Sequence, residues 1–241
     1  MKTQRAWLGV AFALLLLSSA CSTAAGPDPW RGYNEPVFEF NDALDRYLLG
    51  PVARGWDWVA PGFVITGVDN FFRNAWVPRT FVNDLLQAKP VPAAHDLGRF
   101  VVNTTVGVVG LIDVASMIGI QENDEDLGQT LGYWGTPPGP YATLPIFPVR
   151  CTVRDWLAYP VDSLMSPFSW LPWWWVPGAA TVADTVNRRA INDEQIEENR
   201  REAIEWYVFV RDACLQDREG DVHDGAEPTA EEEEDLYDVE E

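Results

Sequence analysis

Beyond a leading apolar stretch, the chain alternates short runs of helical periodicity with proline and glycine stops. Val37, Phe40, Leu44 and Leu48 recur at the spacing of one helix face, with Asn34 as N-cap and Gly50-Pro51 as the end. A second helix is expected over residues 52–59, stopped by Pro61-Gly62. A third is expected over 63–74 and a fourth over 79–88, divided by Pro78. Proline thus punctuates short helices.

Residues 93–120 form the most apolar stretch after the leader. Wound as a helix, they place Arg99, Asn103, Gly107, Gly110 and Asp113 in one polar, small-residue stripe about 120° wide, with valine, leucine, isoleucine and phenylalanine around it. From residue 97 to 119 such a helix would extend about 34 Å, close to the apolar thickness of a bilayer. Either it is a core helix packed closely through its glycines, or it touches lipid. Its β-branched and glycine content counts against a long helix.

Residues 121–126 read as an acidic loop. Residues 128–148, rich in Gly, Pro and aromatics, read as an ordered, irregular segment with room for short strands. Helices are expected again over 152–165 and, as one long element, over 190–219, where Ile204, Tyr207, Val208 and Leu215 supply an apolar stripe. Between them stands Ser-Trp-Leu-Pro-Trp-Trp-Trp-Val-Pro, residues 169–177. Trp170, Trp173, Trp174 and Trp175 are membrane-interface candidates, since indole favours the headgroup level. A tryptophan-rich core corner is the competing reading.

The two ends differ from the middle. Lys2 and Arg5 precede an apolar run over 6–17, too short to span a bilayer, which takes about 20 residues. Ser18-Ser19-Ala20-Cys21 resembles a bacterial lipobox, although leucine stands four residues before the cysteine and not three. Lipidation of Cys21 is expected, against ordinary signal cleavage near Ala20. Ser22, in place of Asp, favours sorting to the outer membrane. Residues 1–20 are therefore assigned as a lipoprotein signal peptide, 21–29 as a flexible tether, 30–219 as one helical domain and 220–241 as an acidic, solvated tail.

Charge narrows the partners. The formal net charge is −20, and residues 221–241 contribute eleven carboxylates without a Lys or Arg. Lys2 and Lys89 are the only lysines, so a nucleic-acid partner is excluded for want of clustered cations. Beyond Cys21, two thiols remain, Cys151 and Cys214. In an oxidising compartment they either pair or lie buried and inert, and the unpaired state is the expectation adopted.

Catalytic chemistry has little material. The chain has two histidines, His95 and His223, which leaves no basis for a His metal site or a triad. There is no Gly-x-Ser-x-Gly elbow and no phosphate-binding P-loop. Carboxylates abound, but they are an unspecific signal. No catalytic residue, metal ligand or cofactor is assigned, and a lipid-cleaving enzyme is disfavoured.

Several stretches together resemble the VacJ/MlaA family. They are Asp28-Pro29-Trp30-Arg31-Gly32-Tyr33-Asn34-Glu35 with Phe38 and Phe40-Asn41; Gly98-Arg99-Phe100-Val101-Val102-Asn103-Thr104 with Gly107 and residues 110–115; and Gly128-Gln129-Thr130-Leu131-Gly132-Tyr133-Trp134-Gly135. Gly139-Pro140-Tyr141, Leu144-Pro145 and Val153-Arg154-Asp155 follow, with a weaker echo over 211–216. Order and spacing match over about residues 28–216. Cys214, the tryptophans at 173–175 and the acidic tail depart from the pattern.

The resemblance implies an all-α, ring-like assembly of short helices and helical hairpins with an amphipathic central channel, embedded in the outer membrane. It implies capture of phospholipids misplaced in the outer leaflet and transfer to a periplasmic lipid-carrier protein, from a lipid anchor facing the periplasm. A trimeric outer-membrane porin is the implied companion. Arg99, Asn103 and Asp113 become channel-lining candidates, or a pairing that holds the ring together. The alternative function is a porin-associated structural scaffold lipoprotein without transport.

Overall fold

The computed structural model describes residues 28–146 and 150–225; the expected signal peptide, Cys21, most of the expected tether and residues 226–241 of the acidic tail lie outside them. Among the described residues the regular secondary structure is helical, and the one β feature is an isolated antiparallel bridge, Tyr141 to Thr152. This agrees with the all-α expectation, but most helices have other ends than the prolines suggest.

Helix α1 (Arg31–Leu44) does not stop at Gly50-Pro51. It passes through one π-helical turn, Asp45–Leu49, into α2 (Gly50–Val59) without leaving helical geometry. The Gly50 N–H reaches back to the Asp45 carbonyl, five residues away. This widened turn lets the helix continue across Pro51, which has no N–H to offer. Asp45, on that turn, receives Arg189 and Arg200 at 2.8 Å each, which ties α1 to the C-terminal helices. Asn34 is no cap: it lies inside α1 and is fully buried.

Helix α3 (Gly62–Leu86) likewise runs through Pro78, joining what the sequence divides. It forms a hairpin with α4 (Pro90–Thr105), the most extensive helix pair of the fold. Packing along this partner offsets the single backbone hydrogen bond that Pro78 removes. The expected long helix over 97–119 ends instead at Thr105. The chain turns through Val108, Val109 and Gly110, all at positive φ, before a short α5 (Val114–Met117). A Cβ at Gly107 would stand 2.2 Å from the Ile112 carbonyl oxygen, and one at Gly110 2.7 Å from Asn74. These glycines serve a tight turn, and the small-residue stripe is an artefact of winding it as a helix.

Helix α6 (Leu127–Tyr133) opens the segment expected to be irregular, capped by Asp126. Helix α7 (Val153–Met165), capped by Thr152, matches expectation, and a 3-10 turn, Pro167–Trp170, follows. Helix α8 (Val176–Ile191) was not expected, and the single helix expected over 190–219 begins in its last two residues and is divided into α9 (Asp193–Glu202) and α10 (Trp206–Val222). The break at 203–205 leaves Ile204 fully exposed while Tyr207 is buried, so they do not share one stripe. Cys151 and Cys214 form a disulfide, with Cα atoms 5.7 Å apart, which corrects the unpaired expectation. The two are brought together by tertiary folding across 63 residues, which spacing does not reveal.

The interior is polar. Among the described residues, 24 buried residues are polar or charged and 13 are apolar or cysteine, seven of the latter being alanine. Asn34, Asn83, Asp84, Gln87, Asp96, Asp162 and Asn187 are among the most buried side chains. Meanwhile Trp58, Phe63, Met117, Val108, Leu157 and Leu164 are exposed. This inverts the usual distribution of a water-soluble domain. No described helix is long and apolar enough to cross a membrane, so the apolar exterior is assembled from many short elements.

Candidate functional site

A cavity of about 690 Å³ opens between α3, α7, α8 and the 121–126 segment. One wall is apolar: Phe72, Trp76, Val77 and Phe168 line it, with Phe71, Phe72 and Phe168 in mutual ring contact at 5.3 to 6.0 Å. The other is ionic, and its charges come as pairs. Arg73 holds Glu122, Arg79 holds Asp124, and Arg188 holds Asp184 at 2.9 Å. Arg150 and Arg218 meet on Asp126, at 3.3 and 3.0 Å. The Arg79 guanidinium also lies over the Trp76 ring, 5.1 Å from its centroid.

Asp126 organises this wall. It caps α6 by accepting the Gln129 N–H at 2.9 Å, and it binds Arg218 through both carboxylate oxygens. Burial pushes its pKa up, yet the hydrogen bonds and charge of Arg218 hold it down at about 2. Arg218 also donates to Asp155 at 3.0 Å, and Asp155 accepts from the Thr152 hydroxyl at 2.7 Å. Helices α6, α7 and α10 thus converge on one buried ionic knot. Asp162 accepts the Leu127 N–H at 3.0 Å, and burial, aided by the charge of Asp126, raises its pKa to about 6. The cavity adjoins an acidic groove of about 990 Å³ and shares Glu122, Asn123, Asp124 and Asp221 with it.

Arg99, Asn103 and Asp113 are brought together, though not by a helix stripe. Asp113 caps α5 and receives Arg99 at 3.1 Å and Asn103 at 2.9 Å; Asn103 in turn accepts the Ala115 N–H at 2.9 Å. Burial raises the Asp113 pKa, but Ser116 and Asn103 hydrogen bonds outweigh it and set it at about 2. These side chains face one another at the turn after α4, and the cavity lining is drawn from other residues. Trp170, Trp173, Trp174 and Trp175 are all exposed, Trp174 to 91%. Cys21 lies outside the described residues.

Sequence reasoning missed Arg79, Asp126, Gln129, Asp162 and Arg218 as site residues. Gln129 and Asp155 lie within quoted motifs, which was a usable signal. Arg218 and Asp126 are 92 residues apart, so no local pattern joins them.

An all-helical body, polar within and apolar without, closed around an ion-lined cavity, belongs to the class of helical proteins built around an amphipathic cavity. A family model described as "MlaA lipoprotein" matches residues 26–221. The intermembrane phospholipid transport system lipoprotein MlaA of Shigella flexneri is 32% identical over 213 residues, covering 87% of this chain and 84% of that protein. An uncharacterized protein of Rickettsia typhi is 40% identical over 119 residues, 49% of this chain and 47% of its own length, so that alignment spans about half of each. A solved structure described as "Structural basis for maintenance of bacterial outer membrane lipid asymmetry" superposes with a TM-score of 0.73 at 32% identity, over 81% of this chain and 98% of that one. The chain belongs to the MlaA lipoprotein family.

Proposed function

We propose that this protein is an outer-membrane lipoprotein that withdraws mislocalised phospholipid from the outer leaflet and passes it through the cavity to a soluble periplasmic carrier. The inverted distribution of polarity carries the reading. An apolar exterior of short helices suits a hydrocarbon surround, where backbone groups must be satisfied within helices or against protein. The ionic cavity offers a headgroup a polar route through a layer that strongly disfavours charge. The names of the relatives, which concern intermembrane phospholipid transport, support the same role.

In this reading Cys21 carries the lipid anchor and the body faces the periplasm. Trp170 and Trp173–Trp175 sit at the headgroup level. The Arg99–Asn103–Asp113 cluster holds the α4–α5 turn that closes one side of the body. A trimeric porin is the companion in the membrane plane. The protein moves its lipid without altering it, so it acts as a transport protein and not as an enzyme.

Gentle detergent extraction followed by lipid analysis tests this. Stoichiometric phospholipid is expected with the purified protein. A folded, lipid-free protein that still captures a porin would replace the conduit with the scaffold.

A further inference from the structure

We propose that the cavity wall around Arg79, Asp126 and Gln129 is a headgroup subsite that selects zwitterionic phospholipid bearing a primary ammonium, of the phosphoethanolamine type, over anionic phospholipid. This rests on the conduit reading above and adds a substrate class to it. The first observation is charge balance. Five arginines line the cavity, Arg73, Arg79, Arg150, Arg188 and Arg218, and so do five carboxylates, Glu122, Asp124, Asp126, Asp184 and Asp221. No lysine or histidine adds to them. The wall therefore carries no formal net charge, and it opens beside a groove lined by Glu122, Asp124, Glu125, Asp217, Asp221 and Asp224, where Lys89 and His95 are the basic residues. A headgroup with net negative charge meets no excess of cations inside the cavity and a surplus of carboxylates in the adjoining groove.

The second observation concerns unmet hydrogen-bonding groups of both kinds among the lining residues. The Gln129 side-chain carbonyl is buried without a hydrogen-bond donor, and the Arg79 Nε–H is buried without an acceptor. Both residues are more than nine-tenths buried and both line the cavity. Asp126 joins them: it accepts the Gln129 N–H, and the charge of Arg79 helps to hold its pKa down. An unmet acceptor and an unmet cationic donor lining one cavity are the complement of an ammonium and a phosphate carried on one headgroup. An anionic headgroup with hydroxyls brings a weaker donor to Gln129 and nothing to offset the acidic groove beside it. The apolar wall of Phe72, Trp76 and Phe168 is positioned for the acyl chains.

The test uses the full-length protein in detergent, equilibrated with vesicles of equal phosphatidylethanolamine and phosphatidylglycerol, and reads the bound lipids. Enrichment of phosphatidylethanolamine by about tenfold is expected, the discrimination one charge-assisted hydrogen bond supplies. Gln129→Leu is expected to bring the bound ratio down to that of the vesicles, with helicity and thermal midpoint recorded to confirm the fold. Soluble glycerophosphoethanolamine, the same headgroup without chains, should not displace the lipid at equal concentration. A wild-type ratio equal to the vesicles, a preference for phosphatidylglycerol, or a preference retained by the folded variant overturns the subsite. Displacement by the soluble headgroup makes it a site for a free phosphodiester and overturns it as a lipid subsite. Absence of any bound lipid overturns the conduit reading as well.

Discussion

Asn34 and Asn41 stand two turns apart on α1 and hold successive stretches of the 141–146 segment in the same manner. The Asn34 amide donates to the Tyr141 carbonyl at 2.9 Å and accepts the Thr143 N–H at 3.1 Å. Asn41 donates to the Leu144 carbonyl and accepts the Ile146 N–H, both at 2.9 Å. A segment without regular secondary structure is thereby given the backbone partners a strand would provide. Asn34 is fully buried, whereas Ile146 is 77% exposed and water can replace the second clamp. Asn34→Ala should therefore cost about 3 kcal/mol, from two stranded backbone groups, and Asn41→Ala about 1 kcal/mol. Chemical denaturation of the two variants decides it; equal losses would mean the clamps do not differ through burial.

The ionic knot at Arg218 makes a sharper prediction. Arg218 is 8% exposed and balances Asp126 and Asp155, so its removal leaves two buried carboxylates without their common partner. Arg218→Ala should destabilise by about 3–5 kcal/mol. Arg31→Ala, which removes an exposed pair with Glu35, should change stability little. A thermal midpoint for Arg218→Ala within two degrees of wild type would show that the carboxylates find other partners.

Acid should first stabilise the fold and then undo it. Burial, with a hydrogen bond to Asp84, pushes the Asp96 pKa up to about 8, and burial raises Asp162 to about 6. A carboxyl whose pKa is raised on folding binds more protons folded than unfolded. Stability therefore declines as pH rises between the unfolded value near 3.9 and those raised values. Asp113 and Asp126, held at about 2, work in the opposite sense and withdraw stability only below the ordinary carboxylate range. The thermal midpoint should thus be higher at pH 5.5 than at pH 8.5. Asp96→Asn should flatten that slope while raising the midpoint at pH 8.5. An unchanged slope in the variant would remove Asp96 as its source.

The disulfide predicts a loss on reduction. Cys151–Cys214 pins α10 beside the start of α7, next to Arg218. Its loop spans 63 residues, and cross-links of that kind contribute about 2–5 kcal/mol. Cys214→Ser should lower the midpoint to that of reduced wild type and make it insensitive to dithiothreitol. A midpoint of the wild-type protein that ignores reductant would contradict this.

What the sequence reveals, and what it hides, follows from where the determining interactions lie. Helix existence was partly legible because periodicity and proline stops are local: α1 stands where apolar spacing put it, and α2, α3, α4 and α7 lie within stretches read as helical. Helix ends were not. Pro51 and Pro78 read as stops, yet a π turn and the α3–α4 packing carry the backbone past them. Arg99, Asn103 and Asp113 were grouped correctly for the wrong reason, since a turn through Gly107 and Gly110, and not a helix stripe, brings them together. Most of the cavity wall was invisible because its central arginines take a meaning only from partners far along the chain, Arg79 from Asp124 and Arg218 from Asp126. The family motifs supplied the architecture that periodicity lacked.

The tryptophan cluster separates membrane seating from lipid handling. Trp170 donates its indole N–H to the Leu164 carbonyl at 2.9 Å, so that ring is held in place although it is 80% exposed. Trp173, Trp174 and Trp175 follow in the turn before α8, each more than half exposed. Rings exposed in this way should insert at the headgroup level, where each contributes about 1.5–3 kcal/mol on burial. A soluble form with Cys21→Ala should still bind vesicles, and adding Trp173→Ala with Trp174→Ala should weaken that binding by at least about a hundredfold. The lipid preference of the cavity should be untouched, because neither residue lines it. Vesicle sedimentation reads the first effect and lipid analysis the second. Undiminished sedimentation of the double variant would assign membrane contact to the apolar faces of the other helices instead.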